Sequence, residues 1–182
     1  MLGRKSKKGL KSLPPGMGII IVDMQDHFLR TVRNPKRDQM ISCQVDVLEC
    51  AAQNDYPVIV LEYRGSGSTN KEISDRVKEV RSHDYLTKSN DNGFWGTELN
   101  SLLKDMQITT LCMMGINASY CVKSTAQGGL EEGLGILTSE PLIADGWDAR
   151  RIPSCTIEWY KSESIGFFDD HRDLIKLMSV AL

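Results

Sequence analysis

The chain has 182 residues, enough for one domain with a full core and too few for two ordinary ones. Its 22 basic and 24 acidic residues leave a formal net charge of -2, which excludes a strong electrostatic pull toward nucleic acid or an anionic membrane. The longest uncharged apolar run, Met17 to Val22, is far short of the ~20 residues of a membrane span. Five cysteines without framework spacing offer neither a disulfide scaffold nor a C-x-x-C metal pair, so the reduced cytoplasm is the expected compartment.

Arg4, Lys5, Lys7, Lys8 and Lys11 crowd the first residues among Gly and Ser. Lacking aromatics and periodicity, residues 1–16 read as a solvated, disordered basic tail rather than a tag for an anionic partner. Residues 17–182 read as a single domain. Met17 to Asp23 is a buried strand, rich in β-branched residues, that closes on one carboxylate. Met40 to Asn54 is a helix with Ile41, Val45, Leu48 and Ala52 on one stripe. Pro57 to Glu62 is a second buried strand. Gly65 to Ser68 is a loop without the lysine-serine pair of a phosphate loop. Asn70 caps a short helix through Val80, His83-Asp84 reads as helix-end structure, and Tyr85 to Thr87 is a short strand.

Thr97 to Met106 follows as a helix, Ile108 to Met114 as a third strong strand, and Ser119 to Glu132 as a helix ended by Gly133. Leu134 to Thr138 is a further strand and Leu174 to Leu182 a closing helix. Arg150 to Asp173 holds Trp159, Phe167 and Phe168 between charges, a pattern open to an oligomer contact or to edge packing. Apolar strands alternating with helices predict an α/β domain with a parallel sheet covered on both faces.

Under this reading three side chains converge at one sheet edge: Asp23 ends the first strand, Lys88 follows the short one, and Cys121 opens the helix after Ile108 to Met114. A thiol at a helix N-terminus beside a lysine is expected to shift toward thiolate. The carboxylate supplies a general base, and backbone N–H groups of the turn supply an oxyanion site. Each residue also has a plainer reading: a loop-capping aspartate, a solvated lysine, a small buried cysteine. Cys43, Cys50, Cys112 and Cys155 read as buried thiols. Phe28, Tyr63, Phe94, Trp95 and Tyr120 read as walls for a small planar ligand, with core packing the plainer reading for Phe28 and Phe94, and Arg64 as a partner for a substrate carboxylate, or as a surface or loop-bracing arginine.

Val22-Asp23-Met24-Gln25-Asp26-His27-Phe28-Leu29 resembles the D-x-Q-N-D-F segment of the isochorismatase-like cysteine hydrolases. Lys88 followed by Phe94-Trp95-Gly96-Thr97-Glu98-Leu99 is similar to their Lys before F-x-x-T-x-L. Gly115 to Ala126 is similar to their G-x-x-T-x-x-C-V-x-x-T-A segment. Three segments in order make a specific signal. The resemblance implies a Rossmann-like three-layer α/β/α sandwich with a mostly parallel sheet of about six strands. It implies a triad of Asp23, Lys88 and Cys121, an oxyanion hole of the Asn117 and Cys121 backbone N–H groups, and a cis peptide at Ile116–Asn117. It also implies a homo-oligomer, dimer or tetramer, with a small-molecule amide substrate, while the charge balance and the short apolar runs leave neither nucleic acid nor membrane as an expected partner.

Departures narrow this expectation. Asp26-His27 stands where the family has Asn-Asp, and Ala118 where it has Thr. The zinc motif D-x-H of nicotinamidases falls on Glu62-Tyr63-Arg64, so neither metal nor cofactor is expected. The implied activity is hydrolysis of a small carboxamide or carbamoyl C–N bond through a thioester, with Asp23 as base and ammonia as first product. The alternatives are vinyl-ether hydrolysis of the isochorismatase type, and an inactive binding or scaffold protein of the same fold.

Overall fold

Met17–Val22 is apolar or glycine throughout and buried at every position, and it forms β1 at the centre of a seven-stranded sheet. The structure, a computed structural model, describes Leu10, residues 12–147, Ala149 and residues 151–180. The remaining elements are α1 Asp26–Leu29, α2 Lys36–Gln53, β2 Val58–Tyr63, α3 Lys71–Val77, β3 His83–Lys88, α4 Leu99–Asp105 and β4 Thr110–Ile116. They continue with α5 Cys121–Glu131, β5 Gly135–Ser139, a 3-10 turn at Glu140–Leu142, β6 Ile143–Ala144, α6 Ser154–Glu163, β7 Gly166–Phe168 and α7 His171–Val180.

The strand order is β3-β2-β1-β4-β5-β7, with β6 also beside β4, and every pairing is parallel. Alternate residues of β1 face two cores, because successive side chains leave opposite faces of a strand. Ile19 and Ile21 pack with α2, α3 and α7, whereas Ile20 and Val22 pack with α4, α5 and α6. This is the expected α/β/α sandwich. Chain order reverses between β1 and β4, which opens a crevice at the C-terminal ends of those strands.

Several expectations are corrected. His83 and Asp84 do not end a helix; they open β3 and pair with Val58 and Ile59. Within the Arg150 to Asp173 stretch α6 and β7 form, with Tyr160 fully buried and β7 paired to β5, so these elements pack at the edge of the sheet. α2 begins earlier than Met40, directly after Pro35. Cys43, Cys50 and Cys112 are buried, but Cys155 lies exposed on the first turn of α6. Packing also starts ahead of Met17. Leu13 is buried, and Thr109 Oγ1 donates to Pro15 O at 2.7 Å. Residues 1–9 and 11 of the expected tail lie outside the described residues, as do the last two of the expected closing helix.

Candidate active site

Asp23, the first residue after β1, turns the chain with a left-handed φ of 55°. A non-glycine residue there costs about 1–3 kcal/mol, and Asp and Asn tolerate it better than most. Its N–H donates to Leu61 O at 2.9 Å, which fixes the turn to β2. Lys88, the last residue of the edge strand β3, reaches under the end of β2. Its Nζ donates to Asp23 Oδ2 at 2.9 Å and to Asn90 O at 3.2 Å, and sits 4.6 Å from the Tyr63 ring centroid. Both side chains of the pair are fully buried. Burial raises the Asp23 carboxyl above its ordinary range, and Lys88 only partly offsets this. Gln25 secures Tyr63, with Oε1 accepting from Tyr63 N at 2.8 Å and Nε2 donating to Tyr63 O at 3.0 Å. The unusual Asp26 keeps a loop contact of its own: Asn70 Nδ2 donates to Asp26 Oδ1 at 2.9 Å.

At the end of β4 the backbone passes unusually close to β1. A Cβ on Gly115, whose φ is +143°, would lie 2.1 Å from Val22 O. The chain then turns through Asn117, with φ 63°. The Ile116–Asn117 bond is not cis, which corrects the expectation: the left-handed Asn117 makes the turn instead, and the cis bond among the described residues is Asn34–Pro35. The turn is braced from outside. Ala118 N donates to Ala144 O at 3.0 Å, Tyr160 Oη to Ala118 O at 2.8 Å, and Ser119 N and Oγ to the Asp145 carboxylate at 2.8 and 2.6 Å. Ala118 is fully buried and held by its backbone, so no hydroxyl is needed there. Tyr120 N and Val122 N both donate to Asn117 O. Cys121 N–H, at the first position of α5, has no such acceptor among the described residues.

The Cys121 side chain is 4% exposed. Its thiol donates to Asp91 Oδ1 at 3.4 Å, while Asp23 Oδ1 is buried without a hydrogen-bond partner among the described residues. Asp23 and the thiol nevertheless act on each other electrostatically. Burial pushes the thiol well above the ordinary cysteine range, Asp23 and Asp91 add to the rise, and Lys88 opposes it. The expected shift toward thiolate is therefore reversed: desolvation and two carboxylates outweigh one lysine. These surroundings favour the protonated thiol over the thiolate.

The intervening loop is tied to α5. Thr125 Oγ1 accepts from Gly93 N at 3.0 Å and donates to Asp91 O at 3.2 Å. Thr97 Oγ1 donates to Gly93 O and accepts from Leu99 N at 3.1 Å, which joins the same loop to the start of α4. The threonines of two sequence segments thus hold Asp91 beside the thiol.

A cavity of about 820 Å³ opens over Cys121. Phe28, Tyr63, Arg64, Asn117 and Tyr120 are among the residues that line it. Phe94 and Trp95 do not: Phe94 packs against the α4–α6 core and Trp95 is 65% exposed. Sequence reasoning missed Asp91, Trp147 and Arg151, which also line the cavity. Asp91 stands three residues after Lys88, and only the path of the loop brings it to the thiol. Among the described residues no group of three or more His, Cys, Asp or Glu could hold a metal ion. Glu62, in the zinc-motif stretch, instead accepts from Thr69 N and Oγ1 at 2.7 and 2.8 Å.

Comparison with known proteins adds to this geometry. The family model described as Isochorismatase domain matches residues 17–144. A streptothricin hydrolase of Streptomyces noursei is 27% identical over 130 residues, which cover 67% of this chain and 52% of that protein. A structure of a putative isochorismatase from Burkholderia xenovorans LB400 superposes with a TM-score of 0.81 at 19% identity, covering 92% of this chain and 83% of the other. N-carbamoylsarcosine amidase from Thermoplasma acidophilum superposes with a TM-score of 0.67 at 21% identity, covering 84% and 94%.

Proposed function

This chain belongs to the isochorismatase family, and from that premise we propose that it is a cysteine-dependent amidohydrolase acting on a small carboxamide or carbamoyl compound. One observation carries the reading: the fully buried Asp23–Lys88 pair leaves Asp23 Oδ1 unspent beside the thiol of Cys121, at the floor of a cavity walled by Phe28, Tyr63 and Tyr120. Burying an ion pair costs several kcal/mol of desolvation, and a site that uses the charges explains why they are kept.

In this mechanism the substrate carbonyl carbon meets Cys121 Sγ. Asp23 is the base, held in place by Lys88, and the thiol loses its proton only as the C–S bond forms, in keeping with surroundings that favour the thiol. The Cys121 N–H receives the developing oxyanion. Ammonia or an amine departs, and water then hydrolyses the thioester. The aromatic walls favour a planar acyl group, and Arg64 and Arg151 at the cavity suit a substrate that carries a carboxylate. The relatives named for hydrolysis of streptothricin and of N-carbamoylsarcosine are consistent with C–N chemistry.

Vinyl-ether hydrolysis is the second reading, and it has no use for the thiol. The test is Cys121→Ala with ammonia release measured across a panel of carboxamides and carbamoyl amino acids. The wild type is expected to release ammonia from at least one of them and the variant from none. Isochorismate turnover that survives the substitution would favour the vinyl-ether reading instead. Ligand binding without turnover in both proteins would favour a binding role.

A further inference from the structure

We propose that Asp145 is a positioning residue for the oxyanion site: its carboxylate holds Ser119, and through Ser119 the 117–121 turn that presents the Cys121 N–H. This rests on the reading that the Cys121 N–H receives the developing charge, and it leaves the proton work with Asp23.

Ala118 gives the turn no hydroxyl, and α5 begins only at Cys121. Ser119 supplies the side-chain link instead. Its N–H donates to Asp145 Oδ1 at 2.8 Å and its hydroxyl to Asp145 Oδ2 at 2.6 Å. With that hydroxyl proton committed to the carboxylate, Thr156 Oγ1 is the donor in its 3.0 Å bond to Ser119 Oγ. Thr156 is buried on α6, so the turn, the chain after β6 and α6 all meet at one serine. Hydrogen bonds to a carboxylate are roughly twice as strong as neutral ones, and two from one residue fix its direction as well as its distance.

The anchor is itself held. Asp145 follows β6, which pairs with Gly115 and Ile116 of β4, so it stands beside the turn it grips. Ahead of β6, the buried Gln44 donates through Nε2 to Leu142 O at 2.8 Å. After Asp145, the Gly146 backbone runs so near Thr31 that a Cβ there would collide with Thr31 Oγ1. Asp145 lines the cavity, yet Ser119 occupies both of its oxygens. That sets it apart from an acid or a base and makes it a residue that acts through the turn. An oxyanion donor is worth about 10²–10³-fold in rate, provided that it is already aimed at the place where charge develops.

The test compares two reactions of the same sulfur, each read at Cys121 by peptide mapping. Iodoacetamide alkylation displaces iodide and forms no oxyanion, whereas acylation by p-nitrophenyl acetate passes through one. Asp145→Ala is expected to acylate about 10²-fold more slowly than the wild type while alkylating at an unchanged rate. Asp145→Asn still accepts from the Ser119 N–H and should recover most of the acylation. Ser119→Ala removes only the hydroxyl bonds, so a smaller acylation deficit of about 10-fold is expected, again with unchanged alkylation. It carries the same test if Asp145→Ala does not fold. Equal losses in both reactions would make Asp145 a merely structural residue and overturn the proposal, and so would acylation at the wild-type rate. A wild type whose Cys121 alkylates but never acylates has no working oxyanion site, and the proposal falls with it. Ammonia release from carboxamides is read in parallel. If the wild type acylates from the ester but releases no ammonia, the amidohydrolase reading falls, while the acylation deficit of Asp145→Ala still decides the role of Asp145.

Discussion

Cys121 sits at the start of a helix and near a lysine, two features that favour thiolate, yet its surroundings favour the thiol. The balance follows from what burial does to each charge. The side chain is 4% exposed, and the nearest ionisable groups include two carboxylates against one ammonium already paired with Asp23. Iodoacetamide alkylation of Cys121, followed by peptide mapping across pH, should therefore have its midpoint above the free-thiol value of about 8.5. A carboxylate beside a thiol repels the thiolate, so Asp23→Asn and Asp91→Asn should each move that midpoint down. A wild-type midpoint below the free-thiol value would mean a preformed thiolate and would contradict the electrostatics described here. Asp23, Lys88 and Cys121 were legible as candidates because each closes or follows a strand. The sign of the thiol's shift was not, because it depends on how deeply the group is buried and on Asp91, whose place no spacing rule gives.

Two connections carry the chemistry, the turn from β4 into α5 and the loop from β3 to α4, and Thr125 ties them together. Its hydroxyl accepts from Gly93 N and donates to Asp91 O, both in the loop. Thr125→Val keeps the shape and removes both bonds, leaving the buried Gly93 N–H without a partner. A loss of about 1–3 kcal/mol in urea unfolding is expected, and Thr125→Ser should recover most of it. Unchanged stability in Thr125→Val would mean that the loop holds its position without this link. The contrast between legible and illegible elements has the same physical origin. β1 and β4 are buried on both faces and read as continuous apolar runs. β3 is an edge strand that opens on the polar pair His83-Asp84 and alternates no apolar face, so its first two residues looked like a helix end. α6 buries only Thr156 and Tyr160 and shows no apolar stripe, and β7 has three residues, too few for any period.

The Asp23–Lys88 bond joins the central strand β1 to the edge strand β3 across β2, so the site and the sheet share one interaction. Such a pair holds the strand ends together and at the same time carries a desolvation cost that an apolar pair would not. The two effects can be separated. Asp23→Asn keeps a side chain suited to the left-handed φ of 55° but leaves the Lys88 ammonium buried without a counter-charge. Breaking a buried pair from one side in this way is expected to cost about 3–5 kcal/mol in urea unfolding at neutral pH. Adding Lys88→Met removes the stranded charge and keeps a straight apolar stem beneath the Tyr63 ring. The double variant should then unfold at a urea concentration equal to or above that of the wild type, while its thioester hydrolysis is lost. Stability regained without activity would identify the pair as a feature maintained for chemistry. A double variant as unstable as the sum of its single substitutions would instead make the pair a structural tie between β1 and β3, and the case for Asp23 as a base would lose its main physical support.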